Sequence, residues 1–143
     1  MDLLGLRTLL REWYREKVAA GSSALQALDL VVANETSDKG VDERYQRLSI
    51  QTGDAAVTGV GTATKRRTRV GRVFVELFDE RGIGDGALNE LTTEVEQIWR
   101  DAMVAANSPD PLIYIGEPSS FERPEAERYC QVVSVPFRAD LIS

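Results

Sequence analysis

Histidine is absent from this chain and cysteine occurs once, as Cys130. The side chains left to carry chemistry are carboxylates, Lys, Arg and hydroxyls. Without imidazole there is no His base, proton relay or His metal ligand. A lone thiol excludes an intrachain disulfide and a multi-thiolate metal site. Cys130 also lacks the His partner of a cysteine nucleophile, and in an apolar strand it reads as a small core residue.

Three patterns remain. Gly82-Ile83-Gly84-Asp85-Gly86-Ala87 satisfies G-x-G-x-x-G/A between a strand and a helix, as a dinucleotide fingerprint does. Asp79 and Glu80 place negative charge where a pyrophosphate would lie, and Asp85 fills the N-cap position with a carboxylate. A tight strand-to-helix turn explains the glycines without a ligand. The acids Asp79, Glu80 and Asp85 form the second pattern, a candidate for Mg²⁺ or Ca²⁺, but their spacing matches no EF-hand and suits turn and cap residues. No Walker motif, Gly-x-Ser-x-Gly elbow or Ser-x-x-Lys pattern occurs. The expectation is a protein with no catalytic residue, no cofactor and no metal, and not an enzyme.

The third pattern is Lys65, Arg66, Arg67, Arg69 and Arg72, five cations within eight residues that include no acid. The rest of the chain carries 12 basic against 23 acidic residues, so one basic arm sits on an acidic body. The arm has three readings. It can neutralise phosphates, although no aromatic is interleaved for base stacking. It can be a solvated loop. Or it can dock on an acidic protein surface, this chain's own body included, as an intersubunit contact of a homo-oligomer.

The elements that position these residues follow from periodicity. Leu3, Leu6, Leu10 and Trp13, widened by Leu9, predict a first helix, with Asp2 as N-cap and Gly21 as stop. Strands are predicted over Leu28 to Ala33 and Arg44 to Thr52. Residues 53–69, rich in small side chains and ending in the basic cluster, read as a long flexible loop. Val70 to Phe78 is the strongest strand. It is apolar on both faces, with a helix expected on one side and the first helix or a neighbouring subunit on the other. Leu88, Leu91, Val95, Ile98 and Ala102, with Trp99, predict a helix over Gly84 to Ala106, followed by strands at Leu112 to Ile115 and Tyr129 to Phe137. Pro136 cannot donate to a ladder, so the last strand is expected to stop or to lie at an edge there. The fold class is α+β: a mostly antiparallel sheet of about five strands with two main helices, in the order helix, three strands, helix, two strands.

At 143 residues and 28% charged, the chain has the size and composition of one globular domain over residues 1–143. No apolar run approaches the ~20 residues of a transmembrane helix, and the first ten residues lack a signal-peptide pattern. A cytoplasmic origin is therefore expected.

Three stretches resemble the small tail-terminator (tail-completion) proteins of phages. Leu28-Asp29-Leu30-Val31-Val32-Ala33-Asn34 is similar to that family's early strand ending in Asn. Val70-Gly71-Arg72-Val73-Phe74-Val75-Glu76-Leu77-Phe78, with the Gly82 and Gly84 turn and the helix after it, resembles its central strand, glycine turn and second helix. Tyr129-Cys130-Gln131-Val132-Val133-Ser134-Val135-Pro136-Phe137-Arg138-Ala139-Asp140 resembles its closing strand. The resemblance implies a structural virion protein, assembled in the bacterial cytoplasm and located at the head-tail junction. It implies a homo-oligomeric ring, usually of six, capping the head-proximal end of the tail tube. The implied partners are the tail tube protein, the head-tail connector protein and genomic DNA passing through the lumen without sequence readout, with no membrane involved. The basic cluster Lys65, Arg66, Arg67, Arg69 and Arg72 is the candidate assembly or partner contact. Another connector or tube component, a DNA-contacting module using that cluster, and a nucleotide-dependent enzyme using the Gly82 turn remain alternatives.

Overall fold

Apolar residues recur at every second position from Val73 to Leu77 and from Val133 to Leu141, within the two longest described strands. The computed structural model describes residues 3–32, 44–57, 66–80, 86–123 and 128–142. The elements run α1 (Leu3–Ala19), α2 (Ser23–Gln26), β1 (Asp29–Val32), β2 (Tyr45–Val57), β3 (Arg66–Glu80), α3 (Gly86–Asp101), a 3-10 turn (Ala105–Asn107), β4 (Ile113–Ile115), β5 (Ser119–Glu122) and β6 (Arg128–Ile142). β3 and β6 have 15 residues each and pair antiparallel throughout, from Arg66 opposite Ile142 to Glu80 opposite Arg128. At ~3.4 Å per residue that pair is about 50 Å long. α1 and α3 each reach only about 25 Å at ~1.5 Å per residue.

The six strands form one sheet in the order β1-β2-β3-β6-β4, with β5 also on β6. All pairings are antiparallel except β1 with β2. Because successive side chains point to opposite faces, Leu48, Val73, Val75, Leu77, Val133, Val135, Phe137 and Ala139 all point one way. They pack there with Leu6, Leu10, Tyr14 and Val18 of α1 and Leu88, Leu91, Val95, Trp99 and Ala102 of α3. Each Leu, Val or Phe among them contributes roughly 1.5–3 kcal/mol when fully buried.

The α1 stripe continues in steps of four through Tyr14 and Val18, and Trp13, placed on the stripe by sequence, is only half-buried. Tyr14 is fully buried and its Oη donates to Gln46 Oε1 at 2.6 Å, while Gln46 Nε2 donates to the Leu28 carbonyl at 3.4 Å. Burial, and secondarily the charge of Glu94, hold the Tyr14 phenol well above its ordinary range. Trp99, fully buried, stacks on Tyr14 with centroids 5.6 Å apart and meets Trp13 at 4.8 Å. Ser22 caps α2 and also ties it to α3: its amide and Oγ donate to Glu94 at 2.8 and 2.5 Å.

Three expectations are corrected. The sheet has six strands rather than about five, and the element order gains α2 and β5. All four residues of β5 are exposed, so no buried alternation marks it. The connection read over 53–69 is strand at both ends. Backbone pairing of Ala55, Ala56 and Val57 with Arg69, Thr68 and Arg67 needs no large side chains, and residues 58–65 lie outside the described residues. Finally, β6 is an interior strand that passes Pro136 and continues to Ile142. The Pro136 carbonyl accepts from the Gly116 amide at 2.8 Å, so the missing N–H faces the same side, in the gap between the stretches of β6 paired with β4 and β5. The ladder to β3 loses nothing.

Candidate functional site

The alternate residues of the same strands make the other face of the sheet, which carries neither α1 nor α3. Across it the register sets rows. Tyr45, Phe78 and Cys130 share one row; Arg47, Glu76, Val132 and Phe121 the next; Ser49, Phe74 and Ser134 the third. Gln51, Arg72 and Pro136 follow, and then Val70, Arg138 and Tyr114.

The first rows are closed. Tyr45, Phe78, Cys130 and Val132 form a second buried cluster, with Val31 and Phe74 packed against it. Tyr45 and Phe78 stack at 4.6 Å. Two guanidiniums roof the cluster, with Arg47 at 5.6 Å and Arg123 at 5.7 Å from the Phe78 ring centroid. The buried Glu76 carboxylate binds both: Arg47 donates from Nε and Nη2 at 3.0 and 2.9 Å, and Arg123 Nη1 lies 2.5 Å from Oε2. Burial pushes the Glu76 carboxyl up, but the hydrogen bonds and charges of Arg47 and Arg123 outweigh it and hold it below the usual carboxylate range. Its hydrogen bond in turn raises Arg47.

The last rows are open. They form a groove of about 780 Å³ lined by Gln51, Val70, Arg72, Tyr114, Pro136 and Arg138, among others. Val70 is 54% and Tyr114 47% exposed. Arg138 stands over the Tyr114 ring at 4.4 Å, and Arg72 Nη1 donates to Ser134 Oγ at 2.7 Å. Gly71 and Gly116 let the chains approach here. A Cβ on Gly71 would collide with the Gln51 carbonyl beside the β2 bulge at Thr52/Ala55, and one on Gly116 would lie 2.8 Å from Pro136 Cγ. Among the described residues neither Arg72 nor Arg138 has a carboxylate within ion-pair distance, whereas Arg15, Arg44, Arg47, Arg100 and Arg123 each have at least one.

Strand alternation divides the basic cluster. Lys65 lies outside the described residues, and Arg66 and Arg67 are strand residues paired with Ile142 and Leu141. Arg69 falls on the helix side of the sheet, where its Nη1 donates to the Gly53 carbonyl at 3.0 Å. Arg72 lines the groove. Its companions Arg138 and Tyr114 escape sequence reasoning as site residues, since only register brings β3, β6 and β4 together; the available signal was their outward parity beside Phe137 and Ile115. Asp79 is buried and bound by Arg44 Nε at 2.9 Å. Residues 81–85 of the glycine turn, Asp85 included, lie outside the described residues. Among the described residues there is no cluster of three metal-ligating side chains and no helix long and apolar enough to cross a membrane.

The architecture thus defines a two-layer α+β protein with a half-open sheet face. No family model and no curated protein matches the chain. Among solved structures 21 chains match; one of them superposes with a TM-score of 0.65 over 94% of this chain and 96% of its own, at 12% identity. That is a likeness of fold.

Proposed function

We propose that the chain is a ring-forming structural subunit of a tailed phage or phage-like particle, of the tail-terminator kind. In this reading it caps the head-proximal end of the tail tube, stops tube polymerisation and joins the tube to the head connector, with no catalytic role. The observation that carries it is where the resemblance falls. Its three stretches lie at β1, β3 and β6, and the last two are the long paired strands on which the sheet is built. A ring subunit needs two different surfaces that meet head to tail, and a sheet whose described helices all pack on one face supplies two unlike outer faces. The net charge of −6 suits a lumen along which DNA slides without sticking.

Light scattering across a concentration series, with negative-stain images of the same fractions, tests this reading. Closed rings of about six copies are expected. A strict monomer, both alone and with purified tube protein, would overturn it.

A further inference from the structure

The two outer surfaces of this sandwich differ in charge. On the helix side, α3 carries Glu90, Glu94, Glu96 and Asp101 against Arg100 alone. Arg100 is already held by Glu96 at 3.7 Å and Glu117 at 3.1 Å, and Glu94 is engaged by Ser22. Glu90 and Asp101 are exposed, and just past the helix end Met103 and Val104 are 42% and 57% exposed. On the other side of the sheet, Arg72 and Arg138 stand exposed with no carboxylate of the described residues within ion-pair distance, beside the apolar surfaces of Val70 and Tyr114. Each surface thus joins exposed apolar side chains to charge with no ion-pair partner among the described residues, and the two charges are of opposite sign.

We propose that the open groove of the helix-free face is the docking site for a second copy of this chain, and that the acidic outer face of α3, with Met103 and Val104 at its end, is what docks there. The groove is ill suited to meet itself, because a two-fold contact would bring the guanidiniums of both copies together, and the nearest described acid on that face, Asp140, already accepts from Thr68 Oγ1 at 2.9 Å. α1 is the wrong occupant, since Arg7, Arg11, Arg15 and Lys17 outnumber Glu12 and Glu16. DNA is disfavoured by the −6 net charge, and among the described side chains the groove presents two arginines, Arg72 and Arg138. Groove to α3 is a heterologous contact, which repeats from copy to copy and closes into a ring when the rotation allows. The inference rests on the ring-subunit reading and names the surfaces by which such a ring would be joined.

Charge reversal in the full chain tests it, read by sedimentation velocity, with circular dichroism to confirm folding. Arg72→Glu/Arg138→Glu makes both surfaces acidic, and Glu90→Arg/Asp101→Arg makes both cationic. Each variant alone is expected to associate at least about tenfold more weakly than the wild type. Mixed one to one, they regain association, because each groove then meets an α3 of opposite sign. Wild-type association should weaken with salt. If the folded variants associate like the wild type, or if their mixture stays dissociated, the docking proposal fails while the ring reading stands. If the wild type is monomeric throughout and instead binds duplex DNA through Arg72 and Arg138, both fail.

Discussion

The two halves of the helix-free face are built from the same strands and the same alternation, yet one half is sealed and the other open. At the sealed half, Phe78, Tyr45, Cys130 and Val132 are buried, and the arginines above them share a carboxylate supplied from within the face, Glu76. At the open half, Val70 and Tyr114 stay about half exposed and the arginines beside them have no such acid among the described residues. One carboxylate on the central strand separates the two outcomes. Arginine over an aromatic ring closes a surface when its charge is answered locally. When it is not, the same pairing leaves a cationic, apolar patch of the kind that partner surfaces cover.

The largest test of this contrast is Phe78→Ala. It empties a fully buried ring site and should cost about 3–5 kcal/mol, read as a drop in the urea midpoint. Should the variant unfold at nearly the wild-type midpoint, the sealed half is no core.

Glu76→Gln comes next. Removing the shared charge leaves two guanidiniums facing each other, but both are more than a third exposed and can relax toward water. The cost should be about 2–3 kcal/mol, below the ~3–5 of a fully buried pair. Glu76 also sets a pH dependence. Its folded-state titration is depressed, so its stabilisation is present above the unfolded carboxylate value of about 4.3 and is lost as pH falls below that. Melting temperature between pH 5 and 2 should therefore fall less steeply in Glu76→Gln than in the wild type. Parallel acid limbs would mean that Glu76 and its arginines are not coupled.

The smallest effect belongs to the open half. Tyr114→Ala should change stability by no more than about 0.5–1 kcal/mol, since half the ring is already in water. A thermal melt showing a loss as large as that of Phe78→Ala would erase the distinction between the halves.

How much of this could be read beforehand varies with the physics. The α3 stripe was legible because Leu88, Leu91, Val95 and Trp99 recur at helical spacing and are buried. The two-faced character of Val70 to Phe78 was legible too, and its second cover is Arg47 and Arg123 rather than a helix. The reach of β2 to Val57 was not, because Ala55 and Ala56 join the sheet through backbone pairing that side-chain type does not encode. β5 was hidden for a related reason: Ser119, Ser120 and Glu122 are polar, and Phe121 remains half exposed. The site was least legible. Arg72 lay in a recognised basic run, but a groove shared with Tyr114 and Arg138 exists only once three strands are in register.

The chain's only two tryptophans, Trp13 and Trp99, lie against each other between α1 and α3. Its intrinsic emission is therefore a single lamp placed inside the helix layer. Light collected at tryptophan wavelengths reports whether the helices still sit together on the sheet, and is dark to events over Tyr114 on the opposite face. Observing the groove calls for a dye placed there, with the native pair serving as an internal record that the scaffold beneath is intact.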